Sequence, residues 1–256
     1  MNAQQLLDRL DAIGASLARS PHALALIGQG SVGLELDRLD EYSDLDFFVI
    51  VEPGHKRAYV DDLGWLAAVH PIAYAFQNTP DGYKVLFEDG IFAEYAVFEP
   101  EELAAISFPP GRVVWKQPKV PNSIAQPAGT PPAPALPDLD HALGEALTNL
   151  YVGLLRDRRG EKMSGFRFIQ GYAVDRLMEL AEFVDPAQPG HRDPFARERR
   201  FEQRHPALAR EARTWMHGYD RNRESALAIL AFLEKHFAVE AALARAIREA
   251  ANGSAG

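Results

Sequence analysis

A proline-rich stretch is the feature that most constrains the fold of this chain. Seven of the 18 prolines fall between residues 118 and 137. Proline lacks a backbone N–H and fixes φ, so neither a helix nor a central strand continues through such a stretch. The 256 residues are enough for two small domains. We therefore predict an N-terminal α/β domain at 1–116, an extended linker at 117–138 and a helical domain at 139–256.

The part before the prolines alternates between strand and helix patterns. Apolar residues at helical spacing predict helices at 3–19, 56–69 and 101–106. Short apolar runs bounded by turn residues predict strands, and Asp89-Gly90 is a hairpin signal between two of them. The predicted strands are 23–27, 44–51, 72–76, 83–87, 91–98 and 112–115.

The part after the prolines is helical to its end. One apolar face follows a 3-4-4-3-4 spacing through Phe166, Ile169, Ala173, Leu177, Leu180 and Val184. Further helices are predicted near 195–203, 206–217, 222–236 and 238–250. The predicted fold class is α+β: a mixed β-sheet with helices, followed by a C-terminal α-helical bundle.

Composition excludes several function classes. The formal net charge of −9 argues against a protein that binds bulk nucleic acid through a basic surface. The absence of cysteine excludes disulfides and thiolate chemistry. No apolar run is long enough to span a bilayer, so we expect a cytoplasmic protein without a membrane partner. No pair of the eight histidines has helical metal-ligand spacing, so no histidine is predicted to bind metal.

Two acidic residues begin an otherwise apolar strand. Asp44 and Asp46 alternate with Leu45, so in an extended strand both carboxylates share a face. Residues 47–51 are apolar on both faces, which indicates a covered central strand. Two like charges at the start of this strand repel each other unless a cation lies between them. Mg²⁺ prefers such oxygen ligands and is often shared with phosphates, so Asp44 and Asp46 are predicted metal ligands. The alternative is that Asp44 caps a turn and Asp46 is solvated.

A glycine turn precedes the acidic strand. It follows the first strand as Gly28-Gln29-Gly30-Ser31, with a helix expected to begin there. Backbone N–H groups at such a turn and helix start attract anions. We predict that Gly28, Gly30 and Ser31 form a cradle for phosphate groups. A plain strand-to-helix turn, with glycine used for backbone freedom, explains the same residues.

A third carboxylate lies on a later strand. Glu94 shares a face with Phe92, Ala96 and Phe98, where an unpaired charge is costly. If its strand pairs beside residues 44–51, Glu94 reaches the aspartates as a third metal ligand or as the base that deprotonates a hydroxyl. At a sheet edge, it would instead face water.

These residues together resemble the nucleotidyltransferase superfamily related to DNA polymerase β. The resemblance rests on Gly30-Ser31, then twelve residues, then Asp44-Leu45-Asp46, then Glu94. Segments 39–46, 88–99 and 160–180 are similar to its antibiotic-modifying branch, especially to the lincosamide nucleotidyltransferases. The resemblance covers residues 20–100 well and the helical part weakly.

The resemblance implies roles and a reaction. Gly30 and Ser31 would hold nucleotide phosphates, Asp44 and Asp46 would bind one or two Mg²⁺, and Glu94 would bind metal or act as base. The reaction would move a nucleoside monophosphate from ATP or another nucleoside triphosphate to a hydroxyl of a small acceptor, such as a lincosamide- or aminoglycoside-like antibiotic. A homodimer is compatible with the sequence but not required by it.

Two other interpretations stay open at this stage. Gly28-x-Gly30-x-x-Gly33 after a strand, with Glu52 after the next strand, matches a dinucleotide-binding oxidoreductase. A toxin–antitoxin-type relative, protein-modifying or non-catalytic, would fit Arg199 or Arg200 followed by His205, a loose ribonuclease pattern. Against the first, the segment between Gly33 and Asp44 is short and charged, which makes it a poor crossover helix.

Overall fold

A computed structural model describes residues 2–129, 137–189 and 196–253 of the chain. The chain divides into two compact units, Met1–Ala133 and Pro134–Gly256. The division falls within the proline-rich stretch, of which residues 130–136 lie outside the described residues. The finer domain limits remain a prediction, and each unit is described by itself.

The first unit is built on a mixed six-stranded sheet, as the sequence predicts. The strands are β1 (Ala23–Gly28), β2 (Leu45–Val51), β3 (Ile72–Thr79), β4 (Gly82–Phe87), β5 (Phe92–Phe98) and β6 (Arg112–Lys116). Their order across the sheet is β3-β4-β5-β2-β1-β6. Strands β2 and β5 pair in parallel, and every other neighbouring pair is antiparallel. Strand β2 therefore lies inside the sheet, as its apolar run indicates.

Helices cover one face of this sheet. Helix α1 (Ala3–Arg19) starts at a capping box formed by Asn2 and Gln5 and buries Leu6 and Leu10 against the sheet. The short helices α2 (Lys56–Val60) and α3 (Gly64–Ala67) complete this layer. The same core takes in the odd-numbered residues of β2, which are fully buried.

The prediction of one helix at 56–69 is wrong, because α2 and α3 are separate helices. The side chain of Asp62 accepts a hydrogen bond from the backbone N–H of Gly64 at 2.8 Å. An Asp side chain that satisfies a free N–H favours the start of a new helix, so the chain restarts at Gly64.

The opposite face of the sheet is covered over only part of its area. Helix α4 (Pro100–Ala105) and the turn Asn122–Ala125 pack over Ile50 and the end of β5. Val120 and Ala125 are buried there, so the proline-rich stretch begins as part of this unit rather than as a free linker. Towards the beginning of β2 and β5, this face carries exposed or half-exposed side chains, and the site described below lies there.

The second unit is helical throughout its described residues, as predicted. Its α-helices are α5 (Leu139–Arg158), α6 (Lys162–Phe166), α7 (Ala173–Val184), α8 (Phe201–Arg204), α9 (Pro206–Ala212), α10 (Asn222–His236) and α11 (Ala241–Asn252). A π-helical segment, Arg167–Tyr172, joins α6 to α7, and the predicted apolar face through it is buried at Ile169, Ala173 and Leu177. The helix predicted near 195–203 starts at a residue outside the described ones and is seen only as the single turn α8. None of the described helices combines the length and the apolar character needed to cross a bilayer.

Candidate active site at the start of strand β2

The two aspartates lie at the beginning of β2. The strand starts at Leu45, one residue later than predicted, so Asp44 immediately precedes it and Asp46 is its second residue. Asp44 is exposed, and Asp46 is partly buried. Beyond Asp46 the same face of β2 continues with Phe48 and Ile50, which belong to an apolar cluster. The acids therefore stand where the apolar cover of this face ends.

The pairing of β2 with β5 brings Glu94 beside Asp46. The two strands are parallel, and Asp46 and Glu94 are direct partners in their register. Adjacent strands lie about 4.8 Å apart, and in-register residues project to the same face. The prediction for Glu94 depended on this pairing, because a strand elsewhere in the sheet would have separated the two carboxylates.

Two residues that the sequence did not single out hold Glu94. Lys84 Nζ lies 3.3 Å from one carboxylate oxygen of Glu94, and Asn78 Nδ2 donates a hydrogen bond of 2.8 Å to the other. Lys84 is the register partner of Glu94 on β4, so Asp46, Glu94 and Lys84 form one row across three strands. The Asp89-Gly90 hairpin pairs β4 with β5, and setting its register in the sequence would have found Lys84.

The three predicted metal ligands are not drawn together at ligand distance. Among the described residues, Asp44, Asp46 and Glu94 do not form a group whose carboxylate oxygens all lie within 4.8 Å of one another. Like charges repel, and Glu94 is turned towards Lys84 and Asn78 instead. Strand pairing alone places Asp46 beside Glu94. A bound cation is needed to draw the three carboxylates closer together.

The glycine turn adjoins this row, but it does not start an α-helix. A single 3-10 turn spans Gly30–Val32, and Gly33 ends it, so the predicted helix start is wrong. A Cβ on Gly28 would lie 2.6 Å from the carbonyl oxygen of Val32, which shows that the chain folds back tightly on itself. Such a short turn lacks the dipole of a full helix. The backbone N–H of Gln29 donates to the carbonyl of Asp46 at 2.7 Å, which fixes the turn beside the acids.

The predicted nucleotide-binding residues differ in their access to solvent. Gly28 and Ser31 are buried, with Ser31 only 8% exposed, whereas Gly30 is partly exposed. Gly30 has φ +52°, a left-handed conformation that favours glycine. Gly28 is therefore explained by packing, and Gly30 is the residue of the turn that a phosphate could approach.

Further polar residues at the turn were missed by the sequence reasoning. The Arg38 guanidinium lies close to Gly30: a Cβ added to that glycine would be 3.2 Å from Arg38 Nη2. Arg112 donates two hydrogen bonds to the carbonyl of Val32, at 2.9 and 3.1 Å, and so holds the turn to β6. Gln29 is buried on the same face as Asp46, and its side-chain amide has no hydrogen-bond partner. No local pattern marks Arg38 or Arg112, since only the folded chain brings them to the glycine turn.

The dinucleotide-binding interpretation is contradicted by the topology. Strands β1 and β2 are antiparallel neighbours, whereas a Rossmann unit needs two parallel strands joined by a crossover helix. The charged segment between Gly33 and Asp44 forms only a second 3-10 turn, Leu36–Arg38. Glu52, the expected ribose ligand, is instead paired with His22 and Lys119.

The ribonuclease-like pattern in the second unit has a structural explanation. His205 is fully buried, and its ring Nδ1 lies 2.6 Å from the carbonyl oxygen of Asp185. Its neighbour Arg204 is also buried, with Glu182 3.8 Å away. A histidine enclosed in this way supports the packing of α8 and α9 and offers no open catalytic position.

The helical unit also carries a polar cavity of its own. The cavity has a volume of about 630 Å³, and Lys162, Arg167 and Tyr172 are among its lining residues. Lys162 pairs with Asp220, and Arg167 lies over the ring of Tyr172. Gln170, another polar residue of this segment, is buried and bonded to Asn222 and Gly218. The contacts of Lys162 and Gln170 join this segment to residues 218–222, so these two side chains hold distant parts of the chain together.

Comparisons with known proteins give only distant likenesses. No family model and no curated protein matches the sequence. Among solved structures, an aminoglycoside 6-adenyltransferase from Bacillus subtilis is similar over 95% of this chain and 90% of its own, at 11% identity and a TM-score of 0.31. A nucleotidyltransferase-like protein from Exiguobacterium sibiricum 255-15 is similar over 90% of this chain and 74% of its own, at 11% identity and a TM-score of 0.35.

A third solved structure is also only distantly similar to this chain. A STING-associated CdnE c-di-GMP synthase from Capnocytophaga granulosa is similar over 97% of this chain and 78% of its own, at 11% identity and a TM-score of 0.33. Likenesses at TM-scores this low carry no argument about function, so the following proposal rests on the residues of this chain.

Proposed function

We propose that this chain is a metal-dependent nucleotidyltransferase that moves a nucleoside monophosphate, AMP from ATP, to a hydroxyl of a small molecule. A lincosamide- or aminoglycoside-like antibiotic is the acceptor class that the sequence resemblance implies. One observation carries the proposal: Asp46 and Glu94 are register partners on one face of the sheet, next to the glycine turn. The glycine turn, Asp46 and Glu94 come from three separate parts of the sequence, and their closeness along the backbone supports the proposal.

The donor set fits magnesium. Asp44, Asp46 and Glu94 offer only carboxylate oxygens, which are the hard ligands that Mg²⁺ takes, and no nitrogen ligand is among them. When bound, the metal would neutralise the triphosphate and the developing charge at the α-phosphorus. Asp44 and Asp46 would hold it, and Gly30 with Arg38 would receive the phosphate oxygens.

The proposed reaction is an in-line displacement at the α-phosphorus. The acceptor oxygen forms a new bond to phosphorus, the bond from phosphorus to the bridging oxygen breaks, and pyrophosphate leaves with that oxygen. The proton of the acceptor hydroxyl passes to a carboxylate oxygen of Glu94. Glu94 is half-exposed and held by Asn78 and Lys84, so its carboxylate is fixed in direction yet open to a substrate.

The surface around Glu94 supports an acceptor with an apolar part. Tyr74, Phe76, Leu86 and Phe92 lie on the same face of β3, β4 and β5 as Glu94 and Lys84. They are 59%, 52%, 36% and 37% exposed, respectively, which makes them unusual for large apolar side chains. An acceptor that packs on this face would place a hydroxyl beside Glu94.

The substitution Glu94→Gln tests the catalytic role. We expect transfer from ATP labelled at the α-phosphate to fall by about 10²- to 10⁴-fold, the usual contribution of a general base. The assay offers a lincosamide and an aminoglycoside as acceptors. Binding of a non-hydrolysable ATP analogue with Mg²⁺, measured by calorimetry, should persist, because Gln keeps the size of the side chain.

The matched control is Glu88→Gln, which neutralises an exposed carboxylate in the β4–β5 turn. It should leave both transfer and analogue binding unchanged. Undiminished transfer by Glu94→Gln would show that Glu94 is not the base. A wild-type protein that does not bind the analogue would remove the proposed function as a whole.

A further inference from the structure

A histidine–glutamate cluster lies at the other end of β2. His22 precedes β1, Glu52 follows β2 and His55 precedes α2. One potential ligand atom from each of the three residues lies within 4.8 Å of the other two. Among the described residues, no other group of three histidine or acidic side chains meets that condition. No local sequence pattern marks this cluster, because the two histidines are far apart along the chain and lack helical spacing.

The geometry points to a second metal site: we propose that His22, Glu52 and His55 bind a zinc-type divalent transition-metal ion. Two imidazoles and one carboxylate are a ligand set that zinc uses, whereas magnesium prefers oxygen alone. The cluster therefore selects a different kind of ion from the one proposed for the acids at the start of β2.

The distance between His22 and Glu52 is close to that between two ligand atoms of a bound ion. His22 Nδ1 lies 2.9 Å from Glu52 Oε2. Ligand atoms about 2.0–2.1 Å from a tetrahedral zinc stand about 3.3 Å apart, so this pair needs to open by only a few tenths of an ångström. The rings of His22 and His55 are stacked with centroids 3.5 Å apart, and they must tilt towards the ion to direct their nitrogen atoms at it.

The carboxylate of Glu52 is already oriented for this role. Lys119 Nζ lies 2.8 Å from Glu52 Oε1, while Oε2 faces His22. An ion bound through Oε2 alone leaves the contact with Lys119 intact. Partners of this kind, which fix a ligand from behind, commonly support metal sites.

The backbone also holds His22 in place. His22 has φ +66°, a left-handed conformation that is uncommon for residues other than glycine. The N–H of Glu52 donates to the carbonyl of His22 at 2.8 Å, so the residue is tied to its partner by backbone as well as by side chain. The backbone of His22 is therefore fixed at this end of the sheet, while its side chain is 42% exposed and open to an ion from solvent.

A cavity adjoins the cluster. Glu52, His55 and Lys119 line it together with apolar residues that include Ile50 and Val120, and its volume is about 610 Å³. Three protein ligands leave a fourth position of a tetrahedral ion for water or another small ligand. The cavity gives that fourth ligand room.

Zinc titration of the full chain, freed of metal by chelator and followed by calorimetry, tests the proposal. Wild type should bind one Zn²⁺ per chain. His22→Asn should weaken that binding by about 100-fold, because even partners outside the ligand shell contribute 10- to 100-fold. Asparagine tolerates the left-handed backbone, so the turn is retained. The matched control His70→Ala removes another histidine of the same unit and should bind zinc as wild type does.

A second measurement keeps the test decisive if His22→Asn folds poorly. Cobalt(II) added to wild type should give the visible absorption of a tetrahedral nitrogen–oxygen site, and His55→Gln should lose that absorption while its circular dichroism stays native. Asp46→Asn should bind zinc normally, which separates this site from the proposed active site. The proposal is overturned if wild type shows no saturable zinc binding, if both histidine variants bind like wild type, or if Asp46→Asn loses zinc equally.

Discussion

The two ends of strand β2 carry different ligand chemistry on the same face of the sheet. At its beginning stand Asp44 and Asp46 with Glu94 as neighbour, and all three offer oxygen. After its end stands Glu52 with two histidines. Asp46 and Glu52 are six residues apart, which is about 20 Å along a strand. Between them Phe48 and Ile50 pack into an apolar cluster, so the two polar ends are separate sites rather than parts of one.

This difference shows how one strand can support two kinds of ion binding. The beginning of β2 joins a parallel neighbour, and the register of that pair places two carboxylates side by side. The end of β2 meets the beginning of its antiparallel neighbour β1, which brings in His22 from the preceding turn. The two environments follow from the two pairing directions, and the predictions below test whether they are independent.

The largest expected effect is a loss of stability when buried packing in the middle of β2 is removed. Phe47 is fully buried on the helix-covered face of β2 and stacks on Tyr95 with ring centroids 5.2 Å apart. Phe47→Ala should lower the free energy of unfolding by about 3–5 kcal/mol, measured by urea denaturation. Phe76→Ala, at a half-exposed position of β3, should change it by less than about 0.5 kcal/mol. Equal losses for the two variants would contradict the described burial of β2.

A smaller loss of stability is expected when the glycine turn beside the start of β2 is changed. Gly28→Ala places a methyl group 2.6 Å from the Val32 carbonyl oxygen, and this atom belongs to the backbone and cannot easily move away. We expect a loss of about 1–3 kcal/mol in stability and weaker binding of the ATP analogue, with zinc binding preserved in the variant that remains folded.

The control for this substitution is Gly144→Ala. Gly144 is an exposed residue within α5, and an added methyl group would meet no atom within 4 Å. Because alanine favours helix more than glycine does, stability should rise by roughly 0.5–1 kcal/mol. A Gly28→Ala protein that matches wild type in both stability and analogue binding would show that the turn tolerates the added group and does not shape the site.

The smallest change in stability is expected when the ion pair between Lys84 and Glu94 is removed. Lys84 and Glu94 are each 42% exposed, and exposed pairs contribute about 1 kcal/mol or less. Lys84→Met should therefore change stability by no more than that amount and should retain transfer within about tenfold. If Glu94 served only as half of a surface ion pair, Lys84→Met and Glu94→Gln would have the same effect on transfer. If Glu94 is the catalytic base, Glu94→Gln must lower transfer much more than Lys84→Met does.

Local sequence patterns predicted the elements of the sheet well. The apolar run after Asp46 identified β2, and the Asp89-Gly90 turn identified the β4–β5 hairpin. These features are visible because side-chain period and turn chemistry are local properties. The break between α2 and α3 was missed, because it depends on one local turn in which the Asp62 side chain accepts from the N–H of Gly64, against the helical pattern.

Long-range pairing limited what the sequence revealed of the two sites. The aspartates and Glu94 could be singled out by residue type, but their meeting required β5 to pair with β2, and no local pattern fixes strand order. For the same reason the histidine–glutamate cluster was missed, whereas the register of the β4–β5 hairpin would have found Lys84. His22 and Glu52 lie thirty positions apart and come together only through the antiparallel register of β1 and β2.

The central claim is that the acids at the start of β2 bind a metal–nucleotide complex. Calorimetric titration with a non-hydrolysable ATP analogue and Mg²⁺ tests it most directly, with wild type compared to the double variant Asp44→Asn with Asp46→Asn. The charge-matched control is Asp8→Asn with Asp11→Asn on α1. We predict magnesium-dependent binding in wild type and in the control, and none in the variant of the two strand acids. Equal binding by all three proteins would contradict the account.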